Sequence, residues 1–254
     1  MFSFCIMKAM NAMYVRSVRM QDPLAEDSYL SKIPAIRQLE ETPLYLEKPV
    51  SFFVGENGSG KSTLMEAIAI AMGFNPEGGT KNFTFSTDDT HSDLYRHILI
   101  SRSAYPKDGF FLRAESFYNF ASTVNKLDAG GRVPLIDYYG GKSLHEQSHG
   151  ESFLALVKNR FSEKGLYLLD EPEAALSPSR LMQLLVCIHD LVDDDSQFII
   201  STHSPILMSY PGADLFELSE NGIRKVDYKD TEQYRITKSF IDKADVMYAH
   251  LFEE

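Results

Sequence analysis

The segment that decides the fold is residues 50–63, VSFFVGENGSGKST, in which a short apolar run leads into a glycine-rich turn. Residues 55–62 fit the pattern G-x-x-x-x-G-K-[ST]. The pattern requires a strand before the turn and a helix after it, and the sequence predicts both: a buried parallel strand at 49–54, and a helix from Ser62 to Met72 that Gly73 closes. The segment therefore predicts a phosphate-binding loop.

The chemistry of phosphate and Mg²⁺ binding explains each residue type in this loop. The glycines let the backbone curl so that successive N–H groups point into one concavity, and the start of the following helix adds its positive dipole end. Lys61 is predicted to neutralise the β- and γ-phosphates of a nucleotide, and the Ser62 hydroxyl to ligate Mg²⁺. A glycine turn without a ligand is the alternative. The predicted nucleotide contacts in the loop are Gly55, Asn57, Gly58, Ser59, Gly60, Lys61, Ser62 and Thr63.

Two acidic residues follow a second apolar run, Leu166–Leu169. The run predicts a buried strand, and the carboxyl end of a strand is where open α/β sheets bind ligands. Asp170 is predicted to hold Mg²⁺ through its shell, and Glu171 to orient or deprotonate an attacking water. An acidic turn without a catalytic role is the alternative.

A histidine follows a third apolar run. Residues 197–200 predict another buried strand, and His203 comes three residues after it. His203 is predicted to contact the γ-phosphate or to hold the water together with Glu171. A structural histidine at a strand end is the alternative.

The rest of the chain alternates strands with helices, which is typical of a mostly parallel sheet with right-handed crossovers. Further strands are predicted at 13–20, 33–37, 83–85, 98–100 and 110–112, with a turn at 105–109 joining the last two as a hairpin. A second hairpin is predicted at 214–228, turning at 220–222. Helices are predicted at 152–161, from an N-cap at Ser177 with Pro178 first in the helix to about residue 192, and at 234–252 as an amphipathic helix.

These elements predict one α/β P-loop NTPase domain over residues 1–254. Its nucleotide-binding core comprises 1–73 and 150–254, with a mostly parallel central sheet flanked by helices. Residues 74–149 are predicted to form a middle lobe with antiparallel strands and a small helical part.

Composition narrows the classes of function. The hydrophobic fraction of 44% supports a sizeable core. The chain contains no run of 18 apolar residues, so no membrane span is predicted. The two cysteines predict neither disulfides nor a zinc site, and a reducing cytosol is expected. The net charge of −11 disfavours a surface covered by nucleic acid. A local basic groove stays open, and its candidates are Arg16, Arg19, Arg96, Arg102 and Arg113.

With these motifs the chain resembles the ABC-type ATPases, and within them the SMC-, RecF- and OLD-like group more than the transporter subunits. The resemblance covers residues 49–64 and 143–208. It implies that residues 55–62 are the Walker A motif, that 166–170 are Walker B, that Glu171 is the catalytic glutamate and that His203 is the switch histidine. It implies ATP and Mg²⁺ as ligands and hydrolysis of ATP to ADP and phosphate. The reducing cytosol expected from the two cysteines gives a cytoplasmic location as the prediction.

The resemblance adds a motif at residues 147–151, QSHGE, which looks like a degenerate LSGGQ signature. In the family this segment caps the γ-phosphate of ATP bound to the opposite subunit. Ser148 and Gly150 are thereby implied to contact nucleotide. His149 replaces the first glycine and Glu151 replaces the final glutamine. A glycine-containing turn before a helix is the alternative.

Three further positions follow from the resemblance. Residues 173–178 look like the D-loop, with Ser177 where the transporters carry Asp. The Q-loop is not recognisable as glutamine, and Glu115 is the candidate for that position and for a third metal ligand. Tyr14 is a candidate among several tyrosines for stacking on adenine.

The implied function is an ATPase whose two copies close face to face around two ATP molecules and act as a conformational switch. A nucleotide-gated binding module with little turnover and an ATPase subunit of a transporter are the alternatives. A long-armed DNA tether is excluded, because only about 80 residues separate the P-loop from the signature, without heptads. Nucleic acid or an unknown protein partner stays open, and the sequence names no process.

Overall fold

The computed structural model describes residues 13–76, 78–79, 91–114 and 148–252. In chain order, its elements are β1 (Ser17–Met20), α1 (Pro34–Gln38), β2 (Leu44–Tyr45), β3 (Val50–Val54), α2 (Lys61–Ala71), α3 (Leu94–His97), β4 (Ile98–Ser101), β5 (Asp108–Arg113), α4 (His149–Arg160), β6 (Gly165–Asp170), α5 (Pro178–Asp193), β7 (Gln197–Ser201), α6 (Pro205–Met208), β8 (Asp214–Ser219), β9 (Gly222–Lys225) and α7 (Glu232–Phe252). Short 3₁₀ turns lie at Tyr29–Lys32, Pro172–Ala174 and Tyr228–Asp230.

The main sheet of the described part has six strands in the order β5-β6-β7-β3-β8-β9. Its first five strands run parallel to their neighbours, and β9 returns antiparallel to β8. The predicted mostly parallel α/β sheet is confirmed. All positions of β3, β6 and β7 are buried, as expected for central strands covered on both faces.

Apolar residues fill both sides of this sheet. On one face, strand side chains such as Phe52 and Tyr167 pack with the apolar residues of α4 and α5. On the other face, Phe53 and Leu168 pack with α1, α2 and the second sheet. The helices therefore hold the central strands in a fixed order, and with them the strand ends that carry the polar motifs.

The second described sheet has three antiparallel strands in the order β2-β1-β4. The strands predicted at 98–100 and 110–112 both form, but the hairpin between them is wrong. β4 pairs with β1, whereas β5 pairs in parallel with β6 in the main sheet. The turn at 105–109 thus carries the chain from one sheet to the other.

The strand predicted at 33–37 is also wrong, because this segment is helical. Pro34 occupies the first helical position, where its missing N–H costs nothing, and Ala35 and Ile36 are buried. The predicted strand at 83–85 lies outside the described residues, as does most of the predicted middle lobe.

The C-terminal helix forms as predicted but buries none of its residues. Apolar side chains such as Ile241 and Phe252 are more than 70% exposed. Non-helical backbone angles at Lys243 interrupt the helix. Within the described ranges, neither this helix nor any other combines the length and apolarity that crossing a membrane requires.

Candidate functional site

The predicted P-loop, acidic pair and histidine segment meet at one edge of the main sheet. Arg113, Asp170, Ser201 and Phe53 lie side by side in register, on four neighbouring parallel strands. The segments that follow these strands therefore leave the sheet together. The sheet thus brings the P-loop, the acidic pair and the histidine segment to the same edge, as predicted for the ligand-binding edge of such sheets.

The P-loop joins β3 to α2 in the predicted strand–turn–helix arrangement. Gly55, Gly58 and Gly60 all have positive φ angles, between 82° and 137°. At Gly55 an added Cβ would lie 2.1 Å from the carbonyl oxygen of Leu218, so β8 passes directly beside the loop. These positions accept only glycine without strain, which leaves the loop backbone free to surround an anion.

Lys61 begins α2 and folds back over the loop. Its Nζ donates hydrogen bonds of 2.8 Å to the carbonyl oxygens of Gly55 and Glu56, and the residue is 4% exposed. Burial lowers the pKa of Lys61, and the carboxylates of Glu171 and Asp170 oppose this shift. The ammonium group is thus held inside the loop, where a bound phosphate would exchange these carbonyl contacts for its own oxygens.

Ser62 and Asp170 are in contact across the site. The Ser62 hydroxyl donates to Asp170 Oδ1 at 3.3 Å, and Asp170 is 5% exposed. Burial raises the pKa of Asp170, and the guanidinium of Arg113 opposes this shift. The serine oxygen and the carboxylate are both hard oxygen ligands, and their juxtaposition is the one predicted for Mg²⁺.

Glu171 and His203 also meet as predicted. Glu171 Oε1 lies 3.5 Å from His203 Nε2, and the two side chains are 35% and 33% exposed. Glu171 has a left-handed backbone conformation, φ 50° and ψ 51°, and its N–H donates to the carbonyl of Ser201. Strain of this kind in a residue with a side chain is characteristic of functional positions. It directs the chain so that this carboxylate faces the histidine.

Glu173 was not predicted to act in the site, yet it fixes the position of the histidine segment. Its Oε1 accepts a hydrogen bond from the backbone N–H of His203. In the sequence, Glu173 stands out only as the first residue of the segment that looks like the D-loop. Its spacing from Glu171 does not predict a hydrogen bond to the backbone of His203.

Buried polar atoms around the loop fit a ligand. Among the described residues, Ser59 Oγ, Glu173 Oε2 and His203 Nε2 are buried without a hydrogen-bond partner. Such atoms are rare in folded proteins unless a bound water, ion or ligand supplies their hydrogen bond. The described residues contain no cluster of three His, Cys, Asp or Glu side chains able to hold a metal ion by itself. The Ser62–Asp170 pair instead fits Mg²⁺ that is bound together with phosphate oxygens.

A cavity of about 840 Å³ lies beside the P-loop. Residues 55–59 form one wall, and the turn between β8 and β9 forms another. Cavities of several hundred Å³ accommodate small-molecule ligands. The loop is therefore open to a molecule as large as a nucleotide.

The signature-like segment begins α4. Ser148 is the N-cap, its hydroxyl donates to Glu151 Oε2 at 2.6 Å, and Glu151 also accepts from the Ser148 N–H. This is a capping box, S-x-x-E/Q, so the replacement of the family's glutamine by Glu151 preserves the cap. Arg180 donates to Ser148 Oγ at 3.0 Å and lies 3.1 Å from Glu151 Oε1. Hydrogen bonds from Ser148 lower the pKa of Glu151, and Arg180 adds to this effect.

The structure does not bring this helix start to the P-loop of its own chain. Among the described residues, neither a hydrogen bond nor an ion pair joins Ser148 or Gly150 to residues 55–63. Gly150 is buried, and a Cβ there would lie 2.5 Å from Arg180 Nη1. Packing alone therefore explains Gly150, and the nucleotide contacts of Ser148 and Gly150 stay predictions.

Two other predicted residues have different outcomes. Glu115, the candidate third metal ligand, lies outside the described residues, as does Gln147. Tyr14 is not positioned to stack on adenine. It is 3% exposed, its N–H donates to Gln197 Oε1, and its hydroxyl donates to the Asp195 carbonyl. These partners lie at the amino end of β7, whereas the P-loop lies at the carboxyl end.

Two protein-family models match the chain. Residues 32–124 match one described as "AAA domain", and residues 152–209 match one described as "AAA domain, putative AbiEii toxin, Type IV TA system". The first span contains the P-loop, and the second contains the segment from Asp170 to His203.

Curated proteins and solved structures resemble the chain at low identity. A Haemophilus influenzae protein described as an uncharacterized ABC transporter ATP-binding protein is 23% identical over 223 residues, covering 81% of this chain and 84% of that protein. The cytochrome c biogenesis ATP-binding export protein CcmA of Brucella abortus is 26% identical over 156 residues, covering 60% and 71%. The SMC head domain from Thermotoga maritima superposes with a TM-score of 0.44 at 15% identity, covering 85% and 100%. The names of the two sequence relatives agree with the resemblance to ABC-type ATPases, but both describe transport proteins rather than members of the SMC-, RecF- and OLD-like group.

The buried carboxylate generates a prediction about stability. Because its pKa is raised in the folded protein, ionisation of Asp170 opposes folding, and its contribution to stability falls as the pH rises through that raised pKa. We expect Asp170→Asn to raise the melting temperature of the protein without ligand at neutral pH. The gain should shrink on acidification. Thermal melts across pH measure it, with the exposed Asp22→Asn as the control, and a lower melting temperature at neutral pH would contradict the prediction.

Proposed function

We propose, from the premise that this chain is a P-loop ATPase domain of the ABC- and SMC-like kind, that it binds ATP with Mg²⁺ and hydrolyses it. The observation that carries the proposal is the meeting of Lys61, Asp170, Glu171 and His203 at one sheet edge. A glycine turn that binds no ligand does not require a lysine, two carboxylates and a histidine at the same edge of the sheet.

Different residues of the site bind the phosphates and the metal ion. The loop N–H groups and Lys61 hold the phosphates, and Ser62 with Asp170 would hold Mg²⁺. When bound, the metal supplies positive charge that offsets the charge on the phosphate oxygens. Thr63, one residue after Ser62 in the first turn of α2, extends the row of N–H donors.

Glu171 and His203, whose side chains are both partly exposed, carry out the hydrolytic step. Glu171 orients a water and accepts its proton as the water oxygen bonds to the γ-phosphorus. The bond from that phosphorus to the bridging oxygen breaks, leaving ADP and phosphate. His203 Nε2 is close enough to Glu171 to hold the carboxylate or the water in position.

Closure of two copies around two ATP molecules is the second part of the proposal. The support is that Ser148 is exposed and separate from the P-loop of its own chain, while the family places the signature against ATP of the opposite subunit. Such an interface is isologous, so each contact is made twice. Arg180 offsets the negative charge of Glu151 beside Ser148, which reduces the repulsion of an approaching phosphate.

One observation favours a second candidate function, a nucleotide-gated binding module with little turnover. The Ser148 hydroxyl is already engaged by Glu151 and Arg180, so closure must rearrange these contacts. The names of the two curated relatives make a transporter subunit a third candidate.

The catalytic role of Glu171 gives the first test. We expect Glu171→Gln to keep ATP binding and to slow hydrolysis about 100-fold or more, since general-base effects are typically worth 10²–10⁴. Single-turnover hydrolysis measures the change, with the exposed Glu163→Gln as the matched control. An unchanged rate in Glu171→Gln would place the proton acceptor elsewhere.

Closure gives the second test. With Mg-ATP, sedimentation should show the Glu171→Gln protein as a dimer, and adding Ser148→Arg should return it to a monomer. Adding Asn159→Arg, which places the same cation at the exposed far end of α4, should leave the dimer intact. If the Ser148→Arg protein also dimerises, or if none of the three does, then this helix start plays no part in closure.

A further inference from the structure

Arg113 lies beside the carboxylate predicted to hold Mg²⁺. It is the last residue of β5 and pairs in register with Asp170, the last residue of β6. Its Nε lies 3.6 Å from Asp170 Oδ2, and its Nη1 lies 2.9 Å from Glu66 Oε2. The guanidinium group is therefore held between two carboxylates at the floor of the site.

The burial of these groups makes the contact consequential. The side chains of Asp170 and Glu66 are 6% and 12% exposed, and that of Arg113 is 23% exposed. A buried carboxylate that loses its cation is strongly destabilising. Arg113 supplies a positive charge next to Asp170, as a metal ion would.

A metal ion and the guanidinium group compete for this carboxylate. Two positive charges a few ångströms apart repel each other, and the repulsion doubles when one of them is divalent. Ser62 contacts Asp170 Oδ1 and Arg113 contacts Oδ2, so Mg²⁺ bound beside Ser62 would lie within a few ångströms of the guanidinium group and weaken its hold on Asp170. Its contact with Glu66 is the shorter of the two, so it has a partner to remain with.

Glu66 is itself fixed in place. It lies on α2, the helix that begins at Lys61, and its Oε1 accepts a hydrogen bond of 2.9 Å from the Ser92 N–H. The Arg113–Glu66 contact thus ties the end of β5 to the P-loop helix, independently of Asp170.

We propose that Arg113 is a positioning residue that takes the place of the metal ion at Asp170 while no nucleotide is bound, and that Glu66 holds it aside when Mg²⁺ binds with ATP. This inference rests on the proposed function, because it presupposes Mg²⁺ at Asp170. Arg113 is thereby expected to raise the Mg²⁺ concentration that ATP binding needs, and Glu66 is expected to lower it.

The experiment compares the full chain with its Arg113→Gln, Arg113→Lys and Glu66→Gln variants in thermal melts. Each protein is melted without ligand, and then at saturating ATP over a series of Mg²⁺ concentrations in mildly alkaline buffer. The readouts are the ligand-free melting temperature and the Mg²⁺ concentration that gives half of the ATP-dependent stabilisation. Both are independent of turnover.

Arg113→Gln should melt at a lower temperature without ligand and should need about tenfold less Mg²⁺, because a unit charge near the divalent ion is gone. Arg113→Lys keeps that charge and should stay close to the parent protein. Glu66→Gln keeps the acceptor for Ser92 but weakens the second partner of Arg113, so it should need several-fold more Mg²⁺.

An unchanged Mg²⁺ requirement in Arg113→Gln would overturn the inference, since a merely structural arginine changes the melting temperature alone. If Arg113→Gln does not fold, Glu66→Gln decides the question: a higher requirement supports the inference, and an unchanged or lower one overturns it. If the parent protein shows no Mg²⁺-dependent stabilisation by ATP, the proposed function fails, and the inference fails with it.

Discussion

A buried ammonium group is the constraint on which the site depends. Lys61 is 4% exposed, and removing its charge from water is costly unless other groups compensate. Two loop carbonyls provide hydrogen bonds, and Glu171 and Asp170 provide opposite charge. These carboxylates are near the lysine only because β6 ends beside β7, and β7 beside β3. The strand order therefore supplies the carboxylates that compensate the buried lysine.

The parts of the site that the sequence predicts are those encoded over a few residues. The loop at 55–62, Asp170 with Glu171, and His203 each follow a short apolar run, and parallel strands bring such run ends together. The parts that it does not predict depend on pairing between distant segments. The two strands at 98–101 and 108–113 are separated by a turn that suits a hairpin, yet they belong to different sheets. The pairing of β5 with β6 places Arg113 opposite Asp170, and the sequence does not predict that pairing.

The degenerate signature has a structural explanation. Ser148 and Glu151 stand at the spacing of a capping box, which accepts glutamate or glutamine equally. Glutamate adds a negative charge at a helix start that is meant, in the resembled family, to face a phosphate. Arg180 lies against both residues and offsets that charge. One of the two departures from the motif, Glu151, thus belongs to a charge-compensated cluster in the fold.

We propose that this loop binds ATP with Mg²⁺ through Lys61. Calorimetric titration of ATP in the presence of Mg²⁺ into the protein and its Lys61→Ala variant tests it most directly, with the exposed Lys48→Ala as control. Because Lys61 is expected to contact two phosphates through charge-assisted bonds worth about 1.5–3 kcal/mol each, the account predicts affinity about 100-fold weaker or lost in Lys61→Ala and unchanged in Lys48→Ala. Equal affinity in the Lys61→Ala variant and the parent protein would contradict the account.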